Sequence, residues 1–179
     1  MADPQQTADK EKLVLVDAFS HIYRSFHAIP RLTNDEGNPT NCIYGVASFL
    51  LRIDEILPHT YAAVAFDKGA PAARMELLPE YKATRPEMPE DMKQQLDGIR
   101  TWVEAAGWPV LEQEGREADD LIAGVVHKRQ AEETYIVSGD KDLCQLVAED
   151  VWLMIPGRKG ELKEVGVQEV EEKWGIPPR

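Results

Sequence analysis

The residues of this sequence best suited to chemistry are carboxylates that follow apolar runs. Lys12-Leu-Val-Leu-Val-Asp17, Tyr61-Ala-Ala-Val-Ala-Phe-Asp67 and Thr134-Tyr-Ile-Val-Ser-Gly-Asp140 each pass from β-favouring residues into an aspartate. Two acidic clusters join them. Glu117-Ala-Asp119-Asp120 follows Glu114-Gly-Arg116, and Ser138-Gly-Asp140-Lys-Asp142 sets two aspartates either side of a lysine. Each piece has a structural explanation when taken alone. Acidic residues at a helix N-terminus cap it and complement its dipole, and an aspartate after a glycine suits a surface turn. Together they exceed what capping and turns require. Unpaired carboxylates brought close raise one another's pKa, and a bound cation removes that penalty. Asp17, Asp67, Glu117, Asp119, Asp120, Asp140 and Asp142 are therefore candidate metal ligands. All are hard oxygen donors and histidine is absent from every cluster, which points to Mg²⁺ or Mn²⁺ rather than Zn²⁺. Seven carboxylates are more than one Mg²⁺ takes from protein. They suit two ions about 4 Å apart that clamp the attacking and leaving oxygens of a phosphodiester.

The elements that must position these groups alternate. Runs apolar at consecutive positions suit strands buried on both faces of a parallel sheet. Three such runs end at Asp17, Asp67 and Asp140, and weaker ones at 108–111 and 151–155 bring the expected strands to five. Thr40 reads as the N-cap of a helix over 41–57, in which Ile43, Val46, Ala47, Leu50, Leu51 and Ile53 recur at helical spacing. Pro89, with Glu90 and Asp91 behind it, opens a helix over 89–106, and Gly107 fits its exit. A third helix spans 118–131, with Leu121, Ile122, Val125 and Val126 on one face. Strands alternating with helices imply an α/β fold, a mainly parallel sheet of about five strands with helices on both faces. Ligands of such sheets sit beyond the carboxyl ends of the strands, where the three aspartates fall.

The 179 residues suit one domain, with a flexible tail over 1–11 and the catalytic domain over 12–179. No signal peptide is recognisable and no apolar run could cross a bilayer. Cys42 and Cys144 lie far apart in sequence and read as buried thiols of a reducing compartment, so the expected location is cytoplasmic. The formal net charge of −12 argues against a nucleic-acid partner, unless many of the carboxylates gather where cations neutralise them. His21, His27, His59 and His127 occur singly and read as ordinary surface or core residues, and the four tryptophans as packing.

The order of motifs resembles the 5′-nuclease superfamily, which is PIN-like and flap-endonuclease-like, and most closely the N-terminal 5′→3′ exonuclease domain of bacterial DNA polymerase I. The resembling segments are Leu15-Val-Asp17 with Tyr23-Arg24, Thr33-Asn34, and Pro39-Thr-Asn-Cys-Ile-Tyr-Gly45. They continue with Val64-Ala-Phe-Asp67, Arg74, Pro79-Glu-Tyr-Lys-Ala-Thr-Arg-Pro86, Glu114-Gly-Arg-Glu-Ala-Asp-Asp120 and Ser138-Gly-Asp-Lys-Asp-Leu143. The resemblance implies that the seven carboxylates hold two divalent ions. It also implies that Tyr81, Lys82 and Arg85 stand at the base of a helical arch, where Lys82 and Arg85 bind and polarise the scissile phosphate. Arg24 would support the same phosphate, and Arg74 would share in nucleic-acid contact. Tyr81 is of a type that stacks on an unpaired base.

In the family, a helix-hairpin-helix region follows, grips duplex DNA and adds aspartates to the second metal. This sequence stops at Trp174-Gly-Ile-Pro-Pro-Arg179, about where that region would begin. It reads as a fragment, a compact homologue without the clamp, or half of a split pair. The first site (Asp17, Asp67, Glu117, Asp119, Asp120) is expected to be complete here, whereas the second rests on Asp140 and Asp142. The implied function is a Mg²⁺- or Mn²⁺-dependent 5′→3′ exonuclease or flap endonuclease acting on DNA 5′ ends or flaps, with RNA primer strands or RNA/DNA hybrids as further substrates. The alternative is a catalytically incomplete binding module that needs a partner protein or the later region. A phosphotransferase with an aspartate nucleophile after its first strand would place Asp17 suitably, but Phe19 stands where such enzymes carry a second aspartate.

Overall fold

Consecutive apolar residues in the first run leave no face for solvent, and this run becomes the centre of the sheet. The computed structural model describes residues 10–69, 72–78, 80, 86–157 and 160–178. Strand β1 (Lys12–Asp17) has Leu13, Val14, Leu15 and Val16 all buried. It is flanked by β2 (Tyr61–Ala65) and β4 (Glu133–Val137), both parallel to it, with Asp17 level with Ala65 and Val16 level with Val137. Outside these lie β3 (Val110–Leu111) beside β2, and β5 (Val151–Pro156) beside β4. A sixth strand, β6 (Leu162–Val165), pairs antiparallel with β5. The order among the described residues is β3-β2-β1-β4-β5-β6. Successive strands build outward from β1 on one side and then, after β3, resume on the other. The crevice between the carboxyl ends of β1 and β4 is therefore the switch point where α/β sheets bind ligands.

Side-chain alternation in β1 divides the core. Val14 and Val16 pack with α1 (Ala18–Ala28), α2 (Asn41–Ile56) and α5 (Leu96–Ala105) through Ile22, Val46, Phe49, Leu50, Ile53, Ile99 and Val103. Leu13 and Leu15 pack on the other face with α6 (Ala118–Lys128) and α7 (Val167–Trp174) through Ile122, Val126 and Val170. Each fully buried aliphatic side chain contributes about 1.5–3 kcal/mol, so both faces are firmly held.

Several expectations are refined. The strand expected to run to Asp67 ends at Ala65, and the one expected to run to Asp140 ends at Val137, so both aspartates stand on loops just past the sheet edge. The helix expected over 89–106 is two pieces, α4 (Glu90–Lys93) and α5, with the break at Gln94 and Gln95. Thr40 occupies the N-cap of α2 as read, but its side chain makes no capping bond. The third helix stops at Lys128, where Arg129 turns extended. A short α3 (Ala72–Leu77) follows β2, and a 3₁₀ turn (Lys141–Leu146) follows β4. Of the expected tail, residues 1–9 lie outside the described residues. Lys10 pairs with Glu133 at 2.9 Å, and the Glu11 carbonyl accepts from the Glu132 and Glu133 amides. Cys42 and Cys144 are both buried and free, and burial pushes the Cys42 thiol up to about 11, which removes it as a nucleophile. No helix among the described residues is long and apolar enough to cross a membrane.

Candidate active site

Asp17 ends β1 and caps α1. Its Oδ1 accepts from the Ser20 amide at 3.1 Å, and its Oδ2 accepts from the Ser138 hydroxyl at 2.7 Å. Burial is the main force on its titration and raises its pKa above the usual carboxylate range. The two hydrogen bonds oppose the rise, and the nearby charges of Asp67 and Asp140 add to it. A carboxylate so placed gains most from an approaching cation.

Asp67 stands two residues past β2, and its Oδ1 accepts from the Ala118 amide at 2.7 Å, bracing the first turn of α6 from another loop. Its own acids serve further donors of that turn. Glu117 is the N-cap of α6 in a capping box with Asp120, and Asp119 Oδ1 accepts from the Asp120 amide at 2.8 Å. Glu117 is buried, at 5% exposure. Carboxylate oxygens of Glu117, Asp119 and Asp120 lie within 4.8 Å of one another. Arg74 of α3 is drawn into this charge, pairing with Glu117, with Asp119 Oδ2 at 3.2 Å and with Asp120 Oδ1 at 2.8 Å. Among the described residues, this one guanidinium faces three carboxylates.

The third aspartate loop is tied to the first by two serines. Ser138, buried at 1% exposure, donates to Asp17 and accepts from the Asp140 amide at 3.0 Å. Ser20 Oγ accepts from the Gly139 amide at 2.7 Å. Asp140 in turn caps the 3₁₀ turn, its Oδ1 accepting from the Asp142 amide at 2.9 Å. The loop after β4 and the turn after β1 thus hold each other across the switch point.

These loops frame a cleft of about 410 Å³. Asp17, Asp67, Glu117, Asp119 and Asp140 line it, together with Phe19, Ser20, Tyr23, Met88 and Ala118. Asp120 reaches the group through the shared Arg74 pairing, whereas Asp142 is exposed and does not line the cleft. A larger groove of about 540 Å³ runs along α6, but Asp120 is its one carboxylate among the described residues, so the acids gather in the smaller cleft. Among the described residues the donor set is carboxylate oxygen throughout, and it fits a hard divalent cation of the Mg²⁺ type.

Of the remaining site residues expected from sequence, Arg24 is exposed on α1 and donates to the Gly157 carbonyl. Tyr81, Lys82 and Arg85 lie outside the described residues. Phe19 packs edge-on against Phe66, ring centroids 6.4 Å apart, which leaves no second acid beside Asp17 on that turn. Sequence reasoning assigned no role to Ser20, Ser138, Tyr23 or Met88. The serines sit three residues after Asp17 and two before Asp140, a spacing that serves capping, and this was the available signal. Tyr23 adjoins Arg24 in a segment of the resemblance, and Met88 carries no signal.

The sequence matches the 5′-3′ exonuclease N-terminal, resolvase-like domain over residues 12–175. DNA polymerase I of Pseudomonas aeruginosa is 41% identical over 168 residues, covering 93% of this chain and 18% of that protein. DNA polymerase I of Bacillus subtilis is 37% identical over 174 residues, covering 95% of this chain and 20% of that one. The chain thus spans about a fifth of the length of these curated relatives. Among solved structures, the T5 D15 protein co-crystallized with metal ions superposes with a TM-score of 0.73 at 20% identity, over 93% of this chain and 62% of that one. The catalytic core of Rad2 in complex with DNA substrate does so with a TM-score of 0.62 at 18% identity, over 94% and 50%. Both likenesses are of fold. On the strength of the sequence match, this chain belongs to the 5′-3′ exonuclease N-terminal, resolvase-like domain family.

Proposed function

We propose that the chain is the catalytic core of a divalent-metal-dependent nuclease that hydrolyses phosphodiester bonds at the 5′ ends or flaps of DNA, with RNA primer strands as further substrates. The observation that carries this is the cleft at the β1–β4 switch point, where Asp17, Asp67, Glu117, Asp119 and Asp140 converge from four separate segments. Asp17, Asp67, Glu117, Asp119 and Asp120 would hold one Mg²⁺, and Asp140 with Asp142 would contribute to a second, Mn²⁺ substituting in either. Such ions supply positive charge to the attacking and leaving oxygens of the phosphodiester.

The chain's own groups do the rest. Ser20 and Ser138 fix Asp17 and the Asp140 loop, so that the carboxylates need little rearrangement. Lys82 and Arg85 would bind and polarise the scissile phosphate, stabilising charge that develops on its oxygens. Arg24 would support that phosphate, and Arg74, held at the acidic cluster, would meet a phosphate entering the cleft. Tyr81 would stack on an unpaired base.

The test is cleavage of a 5′-labelled flap duplex in Mg²⁺ and in Mn²⁺, with Asp119→Asn/Asp120→Asn run alongside. Loss of even supporting groups around a metal typically lowers activity about 10–100-fold, so removal of two ligand charges should exceed 100-fold. Equal cutting by the double variant would refute the assignment. A second reading, a module that binds metal but acts only with a partner or a later region, is favoured by the exposed position of Asp142 outside the cleft. Metal uptake by calorimetry with no cleavage at high protein concentration would select it.

A further inference from the structure

We infer that Gln95 is a positioning residue for the cleft, a cap supplied to α2 from a distant helix that fixes the wall carrying Met88. The inference deepens the nuclease reading and rests on it for its link to catalysis. Gln95 sits at the break between α4 and α5 and is 1% exposed. A primary amide has two acceptor positions and two donors, and all four are engaged. Its Oε1 accepts from the Cys42 amide at 2.8 Å and the Ile43 amide at 3.3 Å. Its Nε2 donates to Asn41 Oδ1 at 3.1 Å and to the Asp91 carbonyl at 2.7 Å.

Cys42 and Ile43 are the second and third residues of α2, whose amides an N-cap side chain ordinarily serves. Thr40 stands at the cap position and does not serve them. Gln95 does so across 53 residues of sequence. The segment Pro39-Thr-Asn-Cys-Ile-Tyr-Gly45, which carries no catalytic group, thereby acquires a role: its start is the socket for this amide. The socket is tied further, because Asn41 Nδ2 donates to the Ile29 carbonyl at the end of α1, 3.4 Å away. Arg31 reaches from the same connection to Asp91 of α4 at 2.8 Å.

What the clamp fixes is α4. Met92 of that helix is fully buried, and Met88, just before it, lines the cleft beside Asp17, Asp67 and Glu117. Lys82 and Arg85 lie in sequence immediately ahead of Met88. The start of α2 and the α4 stretch that follows Met88 are thus held by one side chain that does not line the cleft. Releasing it should loosen the approach to the cleft while leaving the carboxylates, which stand on other elements, in place.

The test uses the full chain with Gln95→Leu, Gln95→Glu and, as control, the exposed neighbour Gln94→Leu. Gln95→Glu keeps the shape and the two acceptor positions but faces Asn41 Oδ1 and the Asp91 carbonyl without the amide donors, so it reports even where the leucine variant fails to fold. Two readouts run together: single-turnover flap cleavage with Mn²⁺ affinity by calorimetry, and methyl spectra of the five methionines. Expected are a fall of at least tenfold in maximal rate with Mn²⁺ affinity within twofold of wild type, and a displaced Met88 methyl signal in both Gln95 variants only. A purely structural role would lower metal affinity and rate in step, and that result overturns the inference, as does a rate within twofold of wild type. If the wild-type chain cuts nothing, the nuclease reading fails separately, and the clamp is judged on the Met88 signal. A Met88 signal unmoved in both variants refutes it.

Discussion

Replacing Ser138 by alanine removes one hydroxyl with two partners, and its consequence can be worked from the geometry. The hydroxyl donates to Asp17 Oδ2 at 2.7 Å, a charge-assisted bond that stabilises the ionised carboxylate by about 1.5–3 kcal/mol. Its loss should raise the Asp17 pKa further above its already raised position. A metal ligand must be deprotonated, so protons compete with the ion below that pKa. The acid limb of Mn²⁺ affinity, measured by calorimetry from pH 5 to 8.5, should therefore move toward alkaline pH in Ser138→Ala, with affinity on that limb about 10–100-fold below wild type. The acid limb of single-turnover cleavage should move with it. The same change removes the acceptor of the Asp140 amide, which costs about 0.5–1.5 kcal/mol of stability, so the assay temperature must lie well below the variant's melting point. Ser138→Thr separates the two effects. It keeps the hydroxyl and should keep the wild-type limb, while its extra methyl in a buried position lowers stability. Superimposable limbs for wild type and Ser138→Ala would refute the assignment of Asp17 as a titrating ligand held by Ser138.

Two further outcomes are expected. Because folding raises the Asp17 pKa, the folded chain holds a proton that the unfolded chain releases above about 3.8, so Asp17 erodes stability as pH rises through that window. Asp17→Asn should melt higher than wild type at pH 7 without metal and lose that lead in excess Mn²⁺; a lower melting point without metal would contradict this. His21, stacked on Phe49 with centroids 3.7 Å apart, has its pKa lowered to about 4, chiefly by burial. It stays neutral in the folded chain while the unfolded chain takes up protons, so acidification from about 6.5 toward 4 should remove up to roughly 3 kcal/mol. His21→Phe should flatten that slope in urea titrations, and an unchanged slope would clear His21.

Legibility followed burial. Strand β1 was readable because Leu13 to Val16 are buried on both faces, and α6 because its acids and its apolar face mark one helix start. Helix α1 escaped notice because Asp17 served as the end of a strand, and Phe19, Ile22 and Phe26 are interleaved with serine, histidine and tyrosine. Strand β6 is an edge strand with Lys163 and Glu164 exposed, and α7 buries Val170 alone, so neither offers an apolar run. The break at Gln95 is set from outside, by the bare amides of α2, and a lone glutamine reads as surface until that partner is known. The acidic residues of the site could be named from sequence, but not their meeting. Asp17 and Asp140 lie 123 residues apart, and only the order β2-β1-β4 brings their loops together.

The formal charge of −12 is the wrong variable for judging a nucleic-acid partner. Over much of the surface the charges cancel locally: Lys10 with Glu133, Arg31 with Asp91, Arg52 with Glu55, Lys68 with Glu112, Arg129 with Asp150. Exposed charges beyond about 8–10 Å are screened at ordinary salt, so a phosphate at the cleft responds to its near neighbours. Among the described residues there, acids outnumber Arg74, so added cations strengthen the hold on an incoming phosphate. Two divalent ions change the total only from −12 to −8 (−12 + 4), yet all four charges enter within reach of the phosphate. On the proposed reading, ions and nucleic acid must therefore bind with positive coupling. Reciprocity then requires that a DNA end raise the affinity for the ions by the same factor as the ions raise the affinity for DNA.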